Sequence, residues 1–274
     1  MTALSRRTLL TATGAAAALS GCGAGSTAAD RAGVPPKRFA SGHFVSELAG
    51  GSVGWSIAYP PGHRVGDRLP VVVSLHGRGA SHTTTFDVLH LGAALDKVVT
   101  DRHVPPFALA SVDGGDHGYW HRRADGSDAG AMLAEEFVPL LAGEGLETGR
   151  LGLYGWSMGG YGALLLAGRR AVPVRAVAVA SPALFEASGD TPPGAFDNAD
   201  DYRRNDVFGE PARLSGIPLR IDCGRSDPFY AATRAFVARL RPRPEASFGP
   251  GAHDPTYWRR VAPAELGFLG RHLV

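Results

Sequence analysis

A serine flanked by glycines carries the clearest chemical signal in the chain. Residues 155–159 read Gly-Trp-Ser-Met-Gly, after the apolar run Leu-Gly-Leu-Tyr and before a Gly-, Ala- and Leu-rich stretch. This is the G-x-S-x-G pattern of a nucleophile elbow, in which a tight strand-to-helix turn exposes the serine hydroxyl. Glycines leave room where a Cβ would crowd the turn. The pattern therefore predicts that Ser157 is a nucleophile, rather than an incidental serine in a glycine-rich turn.

A serine nucleophile needs a base to take its proton. In this kind of site the base follows the serine and the acid in chain order, and it is usually a histidine. Only His253 and His272 follow Cys223. His253 lies in a loop after the last predicted strand, whereas a positive residue at the end of a helix, such as His272, is unremarkable. We therefore predict His253 as the base.

Three aspartates could orient that histidine. Asp222 is still within a predicted strand, and Asp254 is adjacent to His253 and would point elsewhere. Asp227 lies in the loop beyond the strand, from which it could reach a histidine on the next loop. We favour Asp227, which could also cap a helix that begins at Pro228.

The oxyanion of a tetrahedral intermediate needs two hydrogen-bond donors. One is expected to be the backbone N–H of Met158, directly after the nucleophile. The second is expected from the corner His-Gly-Arg-Gly at residues 76–79. We predict the Arg78 N–H, with Gly79 as the alternative; the bland interpretation of this corner is a tight turn without a catalytic role.

Several aromatic residues flank the predicted strand ends and could line an acyl or aromatic pocket. The predicted pocket residues are Trp156, Trp120, Tyr161 and Phe229; the alternative is that some of them belong to the core. Asp113 and Asp116 are expected to stabilise their loop rather than to hold a cation. The sequence contains no metal-ligand spacing and no phosphate-binding loop, so no metal and no cofactor are expected.

Strands and helices alternate along most of the chain, which favours a mostly parallel sheet covered by helices on both faces. An antiparallel pair at 41–48 and 52–59 precedes it, as in the α/β-hydrolase fold. Helices are predicted at 83–99, 128–141 and 255–273; Asp128 is a suitable cap for the second, and the last one is expected to be interrupted or bent near Pro263. We assign residues 39–274 to one catalytic domain, with 183–216 as a cap or lid insertion. Because the candidate residues follow strands, they should meet at one edge of the sheet.

These motifs resemble the esterase D branch of the α/β-hydrolases, which includes S-formylglutathione hydrolases, feruloyl-type esterases and mycobacterial mycolyltransferases. The resemblance runs from about residue 40 to the end and rests on segments 155–162, 222–229 and 251–254. It implies a Ser157–His253–Asp227 triad that hydrolyses carboxylic esters through an acyl-enzyme. It leaves acyl transfer to a sugar or lipid alcohol as an alternative, and a non-catalytic binding lipoprotein as a second one.

The N-terminal residues predict export. Residues 5–10 form a twin-arginine opening, although Leu9 replaces the usual Phe and leaves the ordinary secretory route open. An apolar stretch too short to span a bilayer follows, and residues 19–22, Leu-Ser-Gly-Cys, resemble a lipobox. We expect residues 1–21 to be a signal peptide, Cys22 to carry lipid, and 22–38 to be a flexible tether. The protein would then sit at the extracytoplasmic face of the cell membrane, which argues against a cytosolic glutathione thioester as substrate.

Net charge limits the class of binding partner, and the cysteine content limits disulfide formation. The formal net charge is +2 without a dense Lys/Arg run, so no nucleic-acid partner is expected. The expected partner is a small-molecule, lipid or polysaccharide ester. Lipidation of Cys22 would leave Cys223 alone, and its apolar strand predicts a buried thiol.

Overall fold

The computed structural model describes residues 37–101 and 104–273, which form a single sheet with helices on both faces. The predicted signal peptide, Cys22 and all but the last two residues of the predicted tether lie outside the described residues. The strands are β1 Phe39–Ser46, β2 Gly51–Ala58, β3 Pro70–Leu75, β4 Ala108–Val112, β5 Glu147–Trp156, β6 Val174–Ala180, β7 Leu219–Asp222 and β8 Glu245–Ser247. The helices are α1 Thr84–Asp87, α2 Leu91–Thr100, α3 Ala129–Met132, α4 Val138–Gly143, α5 Met158–Gly168, α6 Ala199–Arg204, α7 Tyr230–Arg239 and α8 Pro255–His272.

The strand order is β1-β2-β4-β3-β5-β6-β7-β8. The pairs β1–β2 and β2–β4 are antiparallel, and every other pair is parallel. This arrangement confirms the predicted α/β-hydrolase fold with its antiparallel beginning. It also puts the carboxyl ends of β3 to β8 at one edge, where ligands bind in sheets of this kind.

The central strands are buried on both faces because each face carries a helical layer. Along β3, Val71 and Val73 belong to one apolar cluster while Val72 belongs to the other, as alternation along a strand requires. The first cluster contains α5 and the helical segment 129–143, and the second contains α2 and α8. This explains why the strands read as apolar runs.

Two predicted helices differ from the observed ones. The prediction of one helix at 83–99 was wrong, because His90 adopts a left-handed backbone with φ of 53° and separates α1 from α2. Near Pro263 the predicted interruption is absent, since α8 runs continuously from Pro255 to His272. Asp128 caps α3 as predicted, because its side chain accepts a hydrogen bond from the Ala131 N–H. A π-helical turn, Leu133–Phe137, joins α3 to α4.

The segment 183–216 connects β6 to β7 through α6 and two 3₁₀ turns, Ser188–Asp190 and Pro211–Leu214. Its hydrogen bonds tie it to the rest of the fold. The Tyr161 hydroxyl on α5 donates to the Asn205 carbonyl, and the Arg123 guanidinium pairs with Asp197 at 2.8 Å. The segment therefore packs against α5 and the loop that follows β4.

None of the helices in the described part of the chain is long and apolar enough to cross a bilayer.

Candidate active site

The turn between β5 and α5 holds Ser157 in a conformation that few residues adopt. Its φ is 54° and its ψ is −121°. A Cβ on Gly155 would lie 2.2 Å from the Gly159 carbonyl oxygen, and one on Gly159 would lie 1.9 Å from the Leu75 oxygen. Glycine is therefore required at both flanks, and the strained backbone is typical of a functional site.

The structure brings Ser157, His253 and Asp227 together in one line of hydrogen bonds. The His253 Nε2 lies 2.8 Å from the Ser157 Oγ, and the Nδ1 lies 2.9 Å from the Asp227 Oδ2. A carboxylate can only accept, so the imidazole donates from Nδ1. The Nε2 then accepts from the serine hydroxyl, as a general base must.

The Asp227 carboxylate is held ionised although its side chain is completely buried. Burial by itself raises its pKa, but the hydrogen bond from His253 and other donors outweigh it, so the pKa lies below its ordinary value. One of those donors is the Phe229 N–H, 2.8 Å from Oδ1. A buried carboxylate with these partners orients the imidazole and stabilises its charged form.

The other sequence candidates for acid and base are engaged elsewhere. Both Asp222 oxygens accept from the Arg220 guanidinium, at 2.7 and 3.1 Å. The Asp254 side chain caps α8 by accepting from the Tyr257 N–H at 2.9 Å. The His272 Nδ1 lies 2.9 Å from the Phe268 carbonyl. Of the alternatives that the sequence left open, only Asp227 and His253 lie at Ser157.

The 76–79 corner lies directly against the nucleophile. A Cβ on Gly77 would be 3.4 Å from the Ser157 Cβ, so Arg78, the next residue, has its amide beside the serine. The Gly79 N–H donates to the Asp116 carbonyl at 2.9 Å and is therefore committed. Met158 opens α5, where the first N–H groups have no partner within the helix. Arg78 and Met158 remain the candidate oxyanion donors.

His76 supports this corner, although the sequence analysis did not assign it a role. Its Nδ1 donates to the Gly77 carbonyl at 2.8 Å, and its Nε2 accepts from the Gly114 N–H at 2.8 Å. Burial lowers its pKa and keeps the ring neutral, as this pair of bonds requires. The sequence feature that could have indicated this role is the position of a polar residue directly after a fully buried strand.

Asp113 stabilises its loop, as predicted. Its carboxylate accepts from the His82 N–H at 2.6 Å and the Gly54 N–H at 3.2 Å. Within the residues that the structure describes, no cluster of His, Cys, Asp and Glu could hold a metal ion. Cys223 is a buried free thiol, as predicted, and burial raises its pKa to about 12.

Three of the four predicted pocket aromatics are core residues in the structure. Trp120, Trp156 and Tyr161 are 0 to 2% exposed and offer a substrate little surface. Trp120 fills a gap between the loop after β4 and α5, since a Cβ on Gly114 or Gly162 would lie 2.4 Å from its ring. These three side chains lie near strand ends, as predicted, but they are packed into the core instead of lining a pocket.

Phe229, the fourth, lies beside the catalytic candidates. Its ring centroid is 5.3 Å from that of His253. The Phe185 ring centroid is 5.6 Å from that of Phe229, and the Tyr119 ring centroid is 5.7 Å from that of Phe185. These three rings, which we call the aromatic row, extend from the imidazole through the 183–216 segment to the loop after β4.

Tyr119, which the sequence analysis did not single out, takes an unusual backbone conformation. Its φ is 48° and that of Trp120 is 62°, values that cost non-glycine residues of the order of 1–3 kcal/mol each. Burial raises the pKa of the Tyr119 hydroxyl to about 12, against the opposing charge of Arg78. The buried Trp120 side chain fixes this turn.

The chain matches an esterase family in sequence, and its fold is similar to those of solved esterases and serine hydrolases. A family model described as "Putative esterase" matches residues 46–268, and no curated protein matches. A ferulic acid esterase superposes with a TM-score of 0.73 at 18% identity, over 86% of this chain and 98% of the other. A fluorophosphonate-binding serine hydrolase of Staphylococcus aureus gives 0.70 at 21%, over 85% and 99%. An S-formylglutathione hydrolase from Agrobacterium tumefaciens gives 0.71 at 14%, over 86% and 95%.

Proposed function

The chain belongs to the putative esterase family, and from that premise we propose that it hydrolyses carboxylic esters through an acyl-enzyme on Ser157. The observation that carries this proposal is the hydrogen-bonded line from Ser157 through His253 to Asp227. A hydroxyl, an imidazole and a buried carboxylate in this order make up a serine-hydrolase triad.

The reaction follows from the proton positions. As the Ser157 Oγ attacks the ester carbonyl carbon, the His253 Nε2 takes the hydroxyl proton. The carbonyl oxygen becomes an oxyanion that the Met158 and Arg78 amides can stabilise, each such donor being worth about 3–4 kcal/mol of barrier. The ester C–O bond then breaks, and the imidazolium returns its proton to the departing alcohol. Water attacks the acyl-enzyme through the same base and releases the acid and the free serine.

Replacing the nucleophile tests the proposal. Ser157→Ala should lower kcat/KM for para-nitrophenyl hexanoate by about 10⁴–10⁶-fold and abolish labelling by a fluorophosphonate probe. The matched control is Ser52→Ala, the same change at an exposed strand position, which should retain both. Undiminished turnover by Ser157→Ala would overturn the proposal. Formation of a transferred-acyl product when an alcohol is added would instead point to acyl transfer.

We also propose that the protein is exported and anchored by lipid at Cys22, as its residues 1–22 indicate. In a bacterial host that processes lipoproteins, the full chain should incorporate labelled palmitate and sediment with membranes. Cys22→Ser should lose both properties, and Cys223→Ser should retain the label. Equal labelling of Cys22→Ser and the wild type would contradict the anchor.

A further inference from the structure

The Arg78 side chain is an exposed cation on the 76–79 corner, which lies against Ser157. The hydrogen bond of its guanidinium is to the Pro193 carbonyl, at 3.3 Å, which leaves most of its five donors free. Among the residues that the structure describes, no carboxylate forms an ion pair with it. In contrast, Arg123 pairs with Asp197.

The backbone of the same residue limits where this cation can lie. The Arg78 N–H is a candidate oxyanion donor, and its neighbour Gly77 packs against Ser157. The guanidinium can therefore be no farther from the reacting carbonyl than one arginine side chain reaches. A charge within that reach can meet a charged group of a substrate bound at Ser157.

The nearby acidic groups do not neutralise it. Both Asp113 oxygens accept backbone N–H groups. Asp116 uses its main-chain carbonyl to bind the Gly79 N–H, and its exposed carboxylate makes no ion pair with Arg78. The guanidinium thus retains its charge and its planar fork of donors, which matches a carboxylate.

The surroundings also define the rest of such a ligand. The Arg78 charge opposes the effect of burial on the pKa of the Tyr119 hydroxyl, and Tyr119 is the member of the aromatic row farthest along from His253. Within this row Tyr119 and Phe185 are buried, and only Phe229, beside His253, is partly exposed. A substrate at Ser157 therefore has the apolar ring of Phe229 on one side and a cation at the corner. This combination suits an ester with an apolar body and an anionic end.

We propose that the Arg78 side chain makes the enzyme selective for esters that carry a carboxylate besides the scissile ester group. This inference rests on the proposed function and specifies its substrate class. The carboxylate can belong to the acyl half or to the alcohol half, and the experiment separates the two.

Two substrate pairs test the selectivity. For the acyl half, kcat/KM is compared between mono-para-nitrophenyl adipate and para-nitrophenyl hexanoate. For the alcohol half, the hexanoate esters of meta-(hydroxymethyl)benzoic acid and of its neutral amide are compared. In Arg78→Gln the charged-to-neutral ratio should fall about tenfold for one of the pairs. Because each ratio is taken within one enzyme, a loss common to both substrates cancels.

Further variants separate charge from structure. Arg78→Lys should keep part of the ratio, and the exposed Arg150→Gln, with the same change of net charge, should keep all of it. In the wild type the ratio should decline as salt is raised from about 0.02 to about 0.5 M, because salt screens exposed charges. Equal ratios in Arg78→Gln and wild type for both pairs would overturn the proposal. Absence of Ser157-dependent turnover of the neutral esters would instead overturn the proposed function.

Discussion

At the scale of single residues, the site depends on which atom of His253 carries a proton. The carboxylate of Asp227 fixes that proton on Nδ1 and leaves Nε2 facing the serine hydroxyl. An amide at position 227 could present its NH₂ group and stabilise the opposite tautomer. Asp227 therefore contributes to catalysis by fixing the tautomer and orientation of His253.

Asp227→Asn should accordingly lower kcat by about 10⁴-fold with a much smaller change in KM, as expected when the orienting carboxylate of a triad becomes an amide. The same change at Asp254 is the matched control, because asparagine caps a helix about as well as aspartate. Asp254→Asn should retain activity close to that of the wild type. Comparable losses in the two variants would argue against Asp227 as the acid.

At the scale of elements, helix α8 carries an acidic residue, Glu265, on its buried face. Glu265 is fully buried. Burial, and then the charge of Asp222 on β7, raise its pKa well above the ordinary value. The native state therefore keeps this carboxyl protonated at pH values where the unfolded chain ionises it.

The sign of the pH dependence follows from this shift. Below a pH of about 4.5 both states are protonated, so Glu265 carries no cost. As the pH rises above that value, ionisation favours the unfolded chain, and stability falls. Glu265→Gln should remove this cost and raise the free energy of unfolding by about 1 kcal/mol at pH 8, or about 2–4 °C in Tm.

Thermal unfolding at several pH values would measure this effect. The gain of Glu265→Gln over the wild type should grow between about pH 4 and 8. Glu135→Gln is the matched control, since Glu135 is exposed and forms no ion pair among the described residues. A gain that stays constant with pH would contradict the shifted pKa of Glu265.

The elements also show how far the sequence allows prediction. The elbow, the buried strands and the cap at Asp128 were predictable because each depends on residues that are neighbours in the chain. The break at His90 was not, because its left-handed backbone has no local signal in a polar, helix-compatible stretch. The burial of Trp120 and Trp156 and the support from His76 depend on contacts between distant segments, so a single sequence could not specify them.

At the scale of the whole molecule, every residue of the candidate site belongs to the folded unit that begins near β1. The family match also falls within this unit, at residues 46–268. By our proposal the N-terminal residues direct export and membrane anchoring, whereas the catalytic residues lie on the sheet and its loops. The two roles should therefore be separable.

A chain that begins at Lys37 should hydrolyse a soluble aryl ester with the kcat/KM of the full chain, because all site residues and both apolar clusters are retained. Circular dichroism would verify that this shorter chain is folded. A folded but inactive chain would show that the N-terminal residues contribute to the site.

Mass spectrometry of the fluorophosphonate-treated full chain identifies the residue that reacts, and so tests the assignment of Ser157 as the nucleophile. After digestion, we expect one phosphonyl adduct, on Ser157 of the peptide that contains Gly-Trp-Ser-Met-Gly, and none in Ser157→Ala. An adduct on another residue, or no adduct on an enzyme that still turns over ester, would contradict the account.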